Sequence, residues 1–273
     1  MDIAAGAWLA LIGLSAGLAG GLLGIGGSVV MIPAMTELMG SQPHKFQATA
    51  LIVNFFVAAP ALIQHVRARA TIAPVLRILI PTTAAAAIVG VACSELPLFR
   101  GDGAVYLTGL FGAFVLCIAI RTITRGRGRS SKDEPPRIDS RGTARRIVLG
   151  IAIPTGLISG LLGVGGGVLS VPLQQRWLRV PLRSAIANSA ATIVVLSLVG
   201  ATAKLSALAF RHPDCPWDAP VRLALFLIPS AIVGSSVGGR LTHVLPLGVV
   251  RAAFIILLIV AGIRMIGRPW MGG

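Results

Sequence analysis

Long apolar stretches, separated by short polar or basic segments, recur along the whole chain. Each approaches or exceeds the roughly 20 residues that an α-helix needs to cross a bilayer core. In the first half they cover Ile3–Met39, Phe46–Val66, Ile72–Leu96 and Ala104–Ile120, and in the second half Ile147–Leu178, Ser184–Phe210, Val221–Leu241 and Val249–Ile266. The pattern predicts an all-α polytopic membrane protein with about eight spans.

Composition agrees with this fold class. Hydrophobic residues make up 55% of the chain and charged residues 12%, and the mean hydropathy is +0.86. Because a soluble domain carries about 25% charged residues, little of the chain is left for one. Residues 1–6 contain no Lys or Arg, so we expect the first stretch to be retained rather than removed as a signal peptide. Cys93, Cys117 and Cys215 are isolated, and we expect no metal site and no cofactor.

The net charge of +15 is concentrated partly in one segment at the centre of the chain. Residues 122–146 are rich in Lys and Arg interleaved with Gly, Ser and Pro, as in a cytoplasmic loop that follows the positive-inside rule. This basic linker separates a first half, residues 1–121, from a second half, residues 147–273. We expect a lipid bilayer as partner, because the basic residues follow the positive-inside rule. We expect no nucleic acid, because no aromatic residues accompany the charge.

One seventeen-residue phrase occurs twice, 139 positions apart. Gly17–Pro33 reads GLAGGLLGIGGSVVMIP and Gly156–Pro172 reads GLISGLLGVGGGVLSVP, and ten positions are identical. The proline–glycine pair of Pro81 and Gly90 also recurs, at Pro229 and Gly238. The chain is therefore predicted to consist of two homologous repeats, each a glycine-broken helix or hairpin followed by three helices.

The orientation of the repeats depends on how often each opening segment crosses the membrane. A single crossing makes the halves parallel repeats, whereas a hairpin makes them inverted repeats. A single crossing places on the linker side Arg67, Arg69, Arg77, Arg211, Arg222, Arg264 and Arg268. A hairpin replaces the last four of these with Arg176, Arg179, Arg183, Arg240 and Arg251. Both arrangements satisfy the positive-inside rule, and the sequence leaves both open.

The glycine clusters are the strongest candidates for a binding site. Glycine allows unusual backbone angles and close approach to the main chain. If the helices break there, free N–H groups at the start of the next helix favour an anion. The candidate residues are Gly24, Gly26, Gly27 and Ser28 in the first copy, and Gly163, Gly165, Gly166 and Gly167 in the second. The alternative is that these glycines only allow close helix packing.

Polar residues in the helix after each cluster are further candidates. The first copy contains Thr49, with Gln47 and Asn54 nearby, and the second contains Asn188 and Ser189. Thr49, Asn188 and Ser189 could complete a solute site, or could serve only as hydrogen bonds between helices. Lys204 lies in an apolar stretch, so it either extends to the membrane surface, which is slightly favoured, or lines a wet path. His65 aligns with it on the repeat offset, and we expect it near the membrane surface.

Enzyme motifs are not met, so we expect no enzymatic activity. Gly156–Gly160 differs from the G-x-S-x-G nucleophile pattern, and neither glycine cluster is followed by the Lys-Ser/Thr of a phosphate-binding loop.

The paired GLxxGLLGxGG phrase, the A-T-A and A-N-S segments in the following helices and the basic central loop resemble the sulfite exporter TauE/SafE family of multi-pass permeases. The resemblance covers essentially the whole chain; Ser28 and Asn188 depart from the repeated pattern. It implies a secondary transporter of a small anion, such as sulfite, an organosulfonate or a related organic anion, in the cell membrane of a bacterium. The alternative function is a non-transporting scaffold or accessory subunit, and either is compatible with a homo-oligomer.

Overall fold

The computed structural model describes residues 3–40, 42–99, 103–124, 141–211 and 216–267, and these residues are almost entirely helical. The helices of the first half are α1 (Ile3–Leu23), α2 (Ser28–Met39), α3 (Pro43–Arg67), α4 (Ala73–Ser94) and α5 (Ala104–Thr124). Those of the second half are α6 (Arg141–Ile147), α7 (Ile153–Leu162), α8 (Gly167–Trp177), α9 (Leu182–Arg211), α10 (Asp218–Val244) and α11 (Leu247–Gly267). A π-helical turn, Val148–Ala152, joins α6 to α7. The predicted all-α class is confirmed for these residues.

Within the described residues, six helical segments are long and apolar enough to cross a membrane. They are Gly6–Leu23, Pro43–Arg67, Ala73–Ser94, Gly142–Leu162, Leu182–Phe210 and Asp218–Val244. By contrast, α2 and α8 contain 12 and 11 residues. At a rise of 1.5 Å per residue they are about 18 Å long or less, too short for a hydrocarbon core of about 30 Å. Each opening segment is therefore a long helical segment followed by a short helix.

Three long helices run in the same direction. Gly17 of α1 lies beside Ala231 of α10, and Gly21 lies beside Ser235 one turn further on, so α1 and α10 are parallel. The Ser235 hydroxyl also donates to the carbonyl of Val57 in α3, and Gly239 lies beside Ala61. Hence α3 is parallel to both. Because α1 and α3 share a direction, the chain has to return between them, and α2 occupies that return.

Three other helices run in the opposite direction. The Lys204 side chain near the end of α9 meets His44 at the start of α3, so these two helices are antiparallel. Helix α4 follows α3 after a short turn and runs parallel to α9. Asn188 near the start of α9 bonds with Ile72 just before α4, and Lys204 near the end of α9 bonds with Ser94 at the end of α4. Helix α7 is parallel to α4.

The contacts between α7 and α4 show this parallel arrangement. Gly156 lies beside Thr83, and Gly160 lies beside Ala87. Thus each of these helices runs opposite to the helix that matches it in sequence: α1 is opposite to α7, α3 to α9, and α4 to α10.

The helix ends near the basic linker extend into the segment predicted for it. Helix α5 ends at Thr124 and α6 begins at Arg141, so residues 122–124 and 141–146 are helical. The intervening linker residues, 125–140, lie outside the described part of the chain. The domain boundaries at 121 and 147 therefore stay predictions.

The close packing of α1 on α10 generates a stability prediction. A methyl group at Gly17 would collide with the backbone carbonyl group of Ala231, whereas Gly6 in the same helix has no atom within 4 Å of such a group. We expect Gly17→Ala to lower the free energy of unfolding by about 1–3 kcal/mol, because overpacking forces the helices apart. Gly6→Ala should leave it unchanged or slightly raised. Thermal unfolding of the purified proteins in detergent measures both, and equal stability of the two variants would contradict this packing.

Candidate functional site

Both glycine clusters interrupt the helices where the sequence predicts a break. Gly24 and Gly26 have φ angles of 63° and 76°, and Gly163, Gly165 and Gly166 have φ angles of 70°, 74° and 81°. These left-handed angles suit glycine, which has no Cβ to clash with the following carbonyl. Residues 24–28 and 163–167 are all buried. Close helix packing alone does not require such angles, so these glycines interrupt the helices. Gly17 and Gly156, by contrast, allow close packing between helices.

The two breaks pack against each other through reciprocal contacts. A Cβ on Gly24 would lie 2.8 Å from Ile186, and a Cβ on Gly163 would lie 2.7 Å from the Cβ of Gln47. Gln47 and Ile186 occupy matching positions, 139 residues apart.

A second reciprocal pair connects the breaks directly. The Ser28 hydroxyl donates to the Val164 carbonyl at 2.6 Å. At the matching position, Gly167 lies against the backbone of Gly24 and Ile25. The breaks thus form a single buried cluster.

The break between α1 and α2 is closed by Asn54 of α3. The Asn54 Oδ1 atom accepts hydrogen bonds from the N–H groups of Gly27 at 2.7 Å and Ser28 at 3.2 Å. These N–H groups lie at the start of α2, where an α-helix offers no acceptor of its own. Asn54 therefore caps α2 from a neighbouring helix.

Several buried polar atoms near the second break have no hydrogen-bond partner within the described chain. The Nδ2 atom of Asn54 lies 2.6 Å from the position of a Cβ on Gly165, and the side chains of Thr155 and Ser159 lie beside Gly166. The Asn54 Nδ2, Thr155 Oγ1 and Ser159 Oγ atoms are all unpartnered, and these residues are at most 1% exposed. Because an unpaired buried polar group is costly, the arrangement leaves donors for another molecule.

The polar residues predicted from the sequence are buried, but their hydroxyl and amide groups are already bonded. The Ser189 hydroxyl donates to the Gly24 carbonyl at 2.6 Å. Asn188 accepts from the Ile72 N–H at 2.8 Å and donates to Gln174 at 3.0 Å. The Thr49 hydroxyl donates to the carbonyls of Lys45 and Pro220. Ser189 supports the first break from α9, whereas Asn188 and Thr49 connect other helices.

Three residues at the breaks were not selected from the sequence. The sequence indicates Asn54 as a polar residue in an apolar helix, but not its contact with both breaks. Thr155 and Ser159 are four residues apart in α7 and therefore share one face of the helix leading into the second break. This four-residue spacing of two hydroxyl side chains was the sequence signal that could have identified them as candidates.

The alternative in which the Lys204 side chain extends to the surface is wrong, because the side chain is enclosed by protein. Lys204 is 0% exposed, and its Nζ atom donates to Glu95 at 2.7 Å, to Ser94 at 2.7 Å and bonds with His44 at 2.9 Å. A buried ammonium group requires such partners, which connect α9 with the start of α3 and the end of α4.

The expected position of His65 near the membrane surface stays a prediction, because burial within protein does not measure depth in a membrane. His65 is 0% exposed, and its Nδ1 atom lies 2.9 Å from the Nε2 atom of His243 in α10. Within the described residues, no group of three or more His, Cys, Asp or Glu side chains could hold a metal ion.

Comparison with known proteins identifies the family of the chain. Residues 9–265 match the family described as Sulfite exporter TauE/SafE. The chain belongs to the TauE/SafE family. No solved structure matches it.

Relatives in this family carry transporter names. The chain is 29% identical over 287 residues to "Probable membrane transporter protein MamO" of Paramagnetospirillum magneticum, with 94% of this chain and 44% of that protein covered. The chain thus spans less than half the length of that relative. It is 23% identical to "Probable membrane transporter protein YunE" of Bacillus subtilis, covering 94% of this chain and 96% of the relative. It is 30% identical to a "Probable membrane transporter protein" of Xylella fastidiosa Temecula1, covering 93% and 92%.

The buried Lys204–Glu95 pair generates a second stability prediction. Lys204→Met leaves the Glu95 carboxylate without this partner, and breaking a buried pair typically costs about 3–5 kcal/mol. The double variant Lys204→Met/Glu95→Gln should lose less stability than the two single variants together, because both charges are removed. Thermal unfolding in detergent measures each variant.

An exposed ion pair provides the matched control. The Arg222 side chain is 77% exposed and pairs with Asp218 at 2.5 Å. We expect Arg222→Met to cost no more than about 1 kcal/mol, since exposed pairs are screened by solvent. A Lys204→Met variant as stable as Arg222→Met would contradict a structural role for the buried pair.

Proposed function

We propose that this protein is a secondary transporter of a small anion, bound between the two glycine breaks. The anion is sulfite, an organosulfonate or a related sulfur-containing or organic anion. The observation that carries the proposal is the buried cluster formed by both breaks, which contains hydrogen-bond donors without partners in the described chain. The family description and the names of the relatives point to the same activity.

The chemistry of the cluster favours an anion over a cation. Residues 24–28 and 163–167 contain only Gly, Ile, Val and Ser, so no carboxylate is present in either break. Helices α2 and α8 both begin at the breaks, and a helix N-terminus carries a partial positive charge. Neutral donors hold an anion with modest hydrogen bonds, which a transporter needs for release as well as binding.

The directions of the helices support an inverted-repeat arrangement of about eight spans. The first-half helices α1, α3 and α4 run opposite to their sequence counterparts, and the contacts of the two breaks are reciprocal. Each opening segment then forms a hairpin, in which α1 or α7 enters the membrane and the short helix α2 or α8 leads the chain back. In transporters of this kind the solute binds where the repeats meet, and the two halves move to expose it to alternate sides.

From the same arrangement we also propose the sides of a cell membrane. The described helix ends next to the basic linker, the turn after α3 and the start of α9 lie on one side in this proposal, together with Arg67, Arg69, Arg179 and Arg183. By the positive-inside rule this side is cytoplasmic.

Transport by the purified protein tests the function. In proteoliposomes loaded with sulfite or with one of a panel of sulfonates, we expect saturable efflux that empty liposomes lack. Gly166→Leu should abolish it, because Gly166 has a left-handed φ and a side chain there meets Leu196. The function would be rejected if correctly folded wild-type protein moved none of the panel in either direction.

Cysteine labelling tests the inverted arrangement. Gly40 and Arg179 are matched in sequence, exposed, and lie just before α3 and α9. In a cysteine-free background, an impermeant maleimide applied to intact cells should label Gly40→Cys, and should label Arg179→Cys only after permeabilisation. Labelling of both from the same side would mean that the repeats are parallel.

A further inference from the structure

The two breaks differ at several matched positions around them. Asn54 in the first repeat corresponds to Ile193 in the second, on the offset of 139 residues. In the other direction, Ala16 corresponds to Thr155, Gly20 to Ser159 and Ala58 to Ser197. Among these positions, the first repeat supplies an unpartnered amide and the second supplies unpartnered hydroxyls.

This difference determines which backbone N–H groups are occupied. At the first break the N–H groups of Gly27 and Ser28 both donate to Asn54. Their counterparts at the second break belong to Gly166 and Gly167, at the start of α8. No hydrogen bond from those two N–H groups is found among the described residues, and Ile193, which takes the place of Asn54, cannot accept one.

Three residues with unpartnered side-chain donors lie beside the start of α8, and they come from two further helices. Asn54 of α3 accepts with Oδ1 at the first break and holds its unused Nδ2 beside Gly165. Thr155 and Ser159 of α7 lie beside Gly166 with unpartnered hydroxyls. These three residues are 0%, 0% and 1% exposed.

We propose that the anion binds at the second break only, held by the N–H groups of Gly166 and Gly167, the amide of Asn54 and the hydroxyls of Thr155 and Ser159. The first break is structural, because its N–H groups are already capped. This proposal rests on the proposed function and adds to it the position of the site. Donors on α3, α7 and α8 approach from different directions, which suits an oxyanion with three acceptor oxygens, such as a sulfite or a sulfonate group.

Asn54→Asp separates the two roles of Asn54. An aspartate retains an oxygen to accept from Gly27 and Ser28, but replaces the Nδ2 donor with a second oxygen that repels an anion. We expect the variant to raise the KM for sulfite efflux at least about tenfold, and thermal unfolding checks that it remains folded.

The hydroxyls are tested by a second variant that leaves Asn54 intact. Thr155→Val/Ser159→Ala removes both hydroxyls with little change in volume, and should also raise the KM about tenfold or more. Thr155→Ser retains the hydroxyl and should remain near the wild-type KM. Thr202→Val is the control for hydroxyl loss elsewhere, since Thr202 is exposed and bonds only within α9.

Sulfite binding is measured separately from transport, as the shift in unfolding temperature of the detergent-purified proteins with added sulfite. Binding by the wild type that both site variants lose supports the site, even if no transport is found and the transporter function fails. If the wild type transports sulfite while both folded site variants keep a KM within twofold of it, the position is overturned and the function stands. If Asn54→Asp does not fold, the hydroxyl variant alone decides between these results. A folded wild type that neither binds nor transports sulfite or any sulfonate of the panel overturns both proposals.

Discussion

A broken helix inside a membrane protein leaves backbone N–H and carbonyl groups that lipid cannot satisfy, and this constraint explains the centre of the molecule. Each unpaired group costs several kcal/mol in hydrocarbon, so a break has to be surrounded by protein or by a polar solute. The two glycine breaks meet that requirement largely through each other. Ser28 donates to the backbone of the second break, and Ser189 donates to the backbone of the first.

The remaining polar groups show how duplication can yield a single site. The contacts that hold the breaks together are reciprocal, as between Gly24 and Ile186 and between Gly163 and Gln47. The residues that satisfy the breaks are not reciprocal, since Asn54 has Ile193 as its counterpart. One half therefore closes its helix start with a side chain, and we propose that the other leaves its helix start open to the anion. We regard this division between a structural break and a binding break as the basis of the proposed transport.

The helical class and the breaks could be predicted because they depend on local sequence. Apolar length indicates a membrane helix, and a glycine cluster before a proline indicates an interruption. The partners of the breaks could not be predicted in the same way. Asn54 is 27 residues from Gly27 in the chain, and only the packing of α3 brings its amide to both breaks. Asn188 and Thr49 were reasonable candidates, but their hydrogen bonds connect other helices.

Lys204 illustrates the same limit of local reasoning. A lysine six to eight residues before an aromatic and basic cluster, as Lys204 is before residues 210–212, is typical of a helix end at the membrane surface. Yet Glu95, Ser94 and His44 contact it from the end of α4 and the start of α3. Its partners are more than 100 positions away in the chain, so no local pattern could identify them.

The most direct test of the central claim is the location of a bound anion. Selenite has the shape and charge of sulfite, and its selenium atom can be located by anomalous X-ray scattering from crystals grown with it. We expect a selenium peak within hydrogen-bonding reach of the start of α8, between Asn54 and the hydroxyls of Thr155 and Ser159. A peak at the start of α2 instead, or peaks only on the protein surface, would contradict the account.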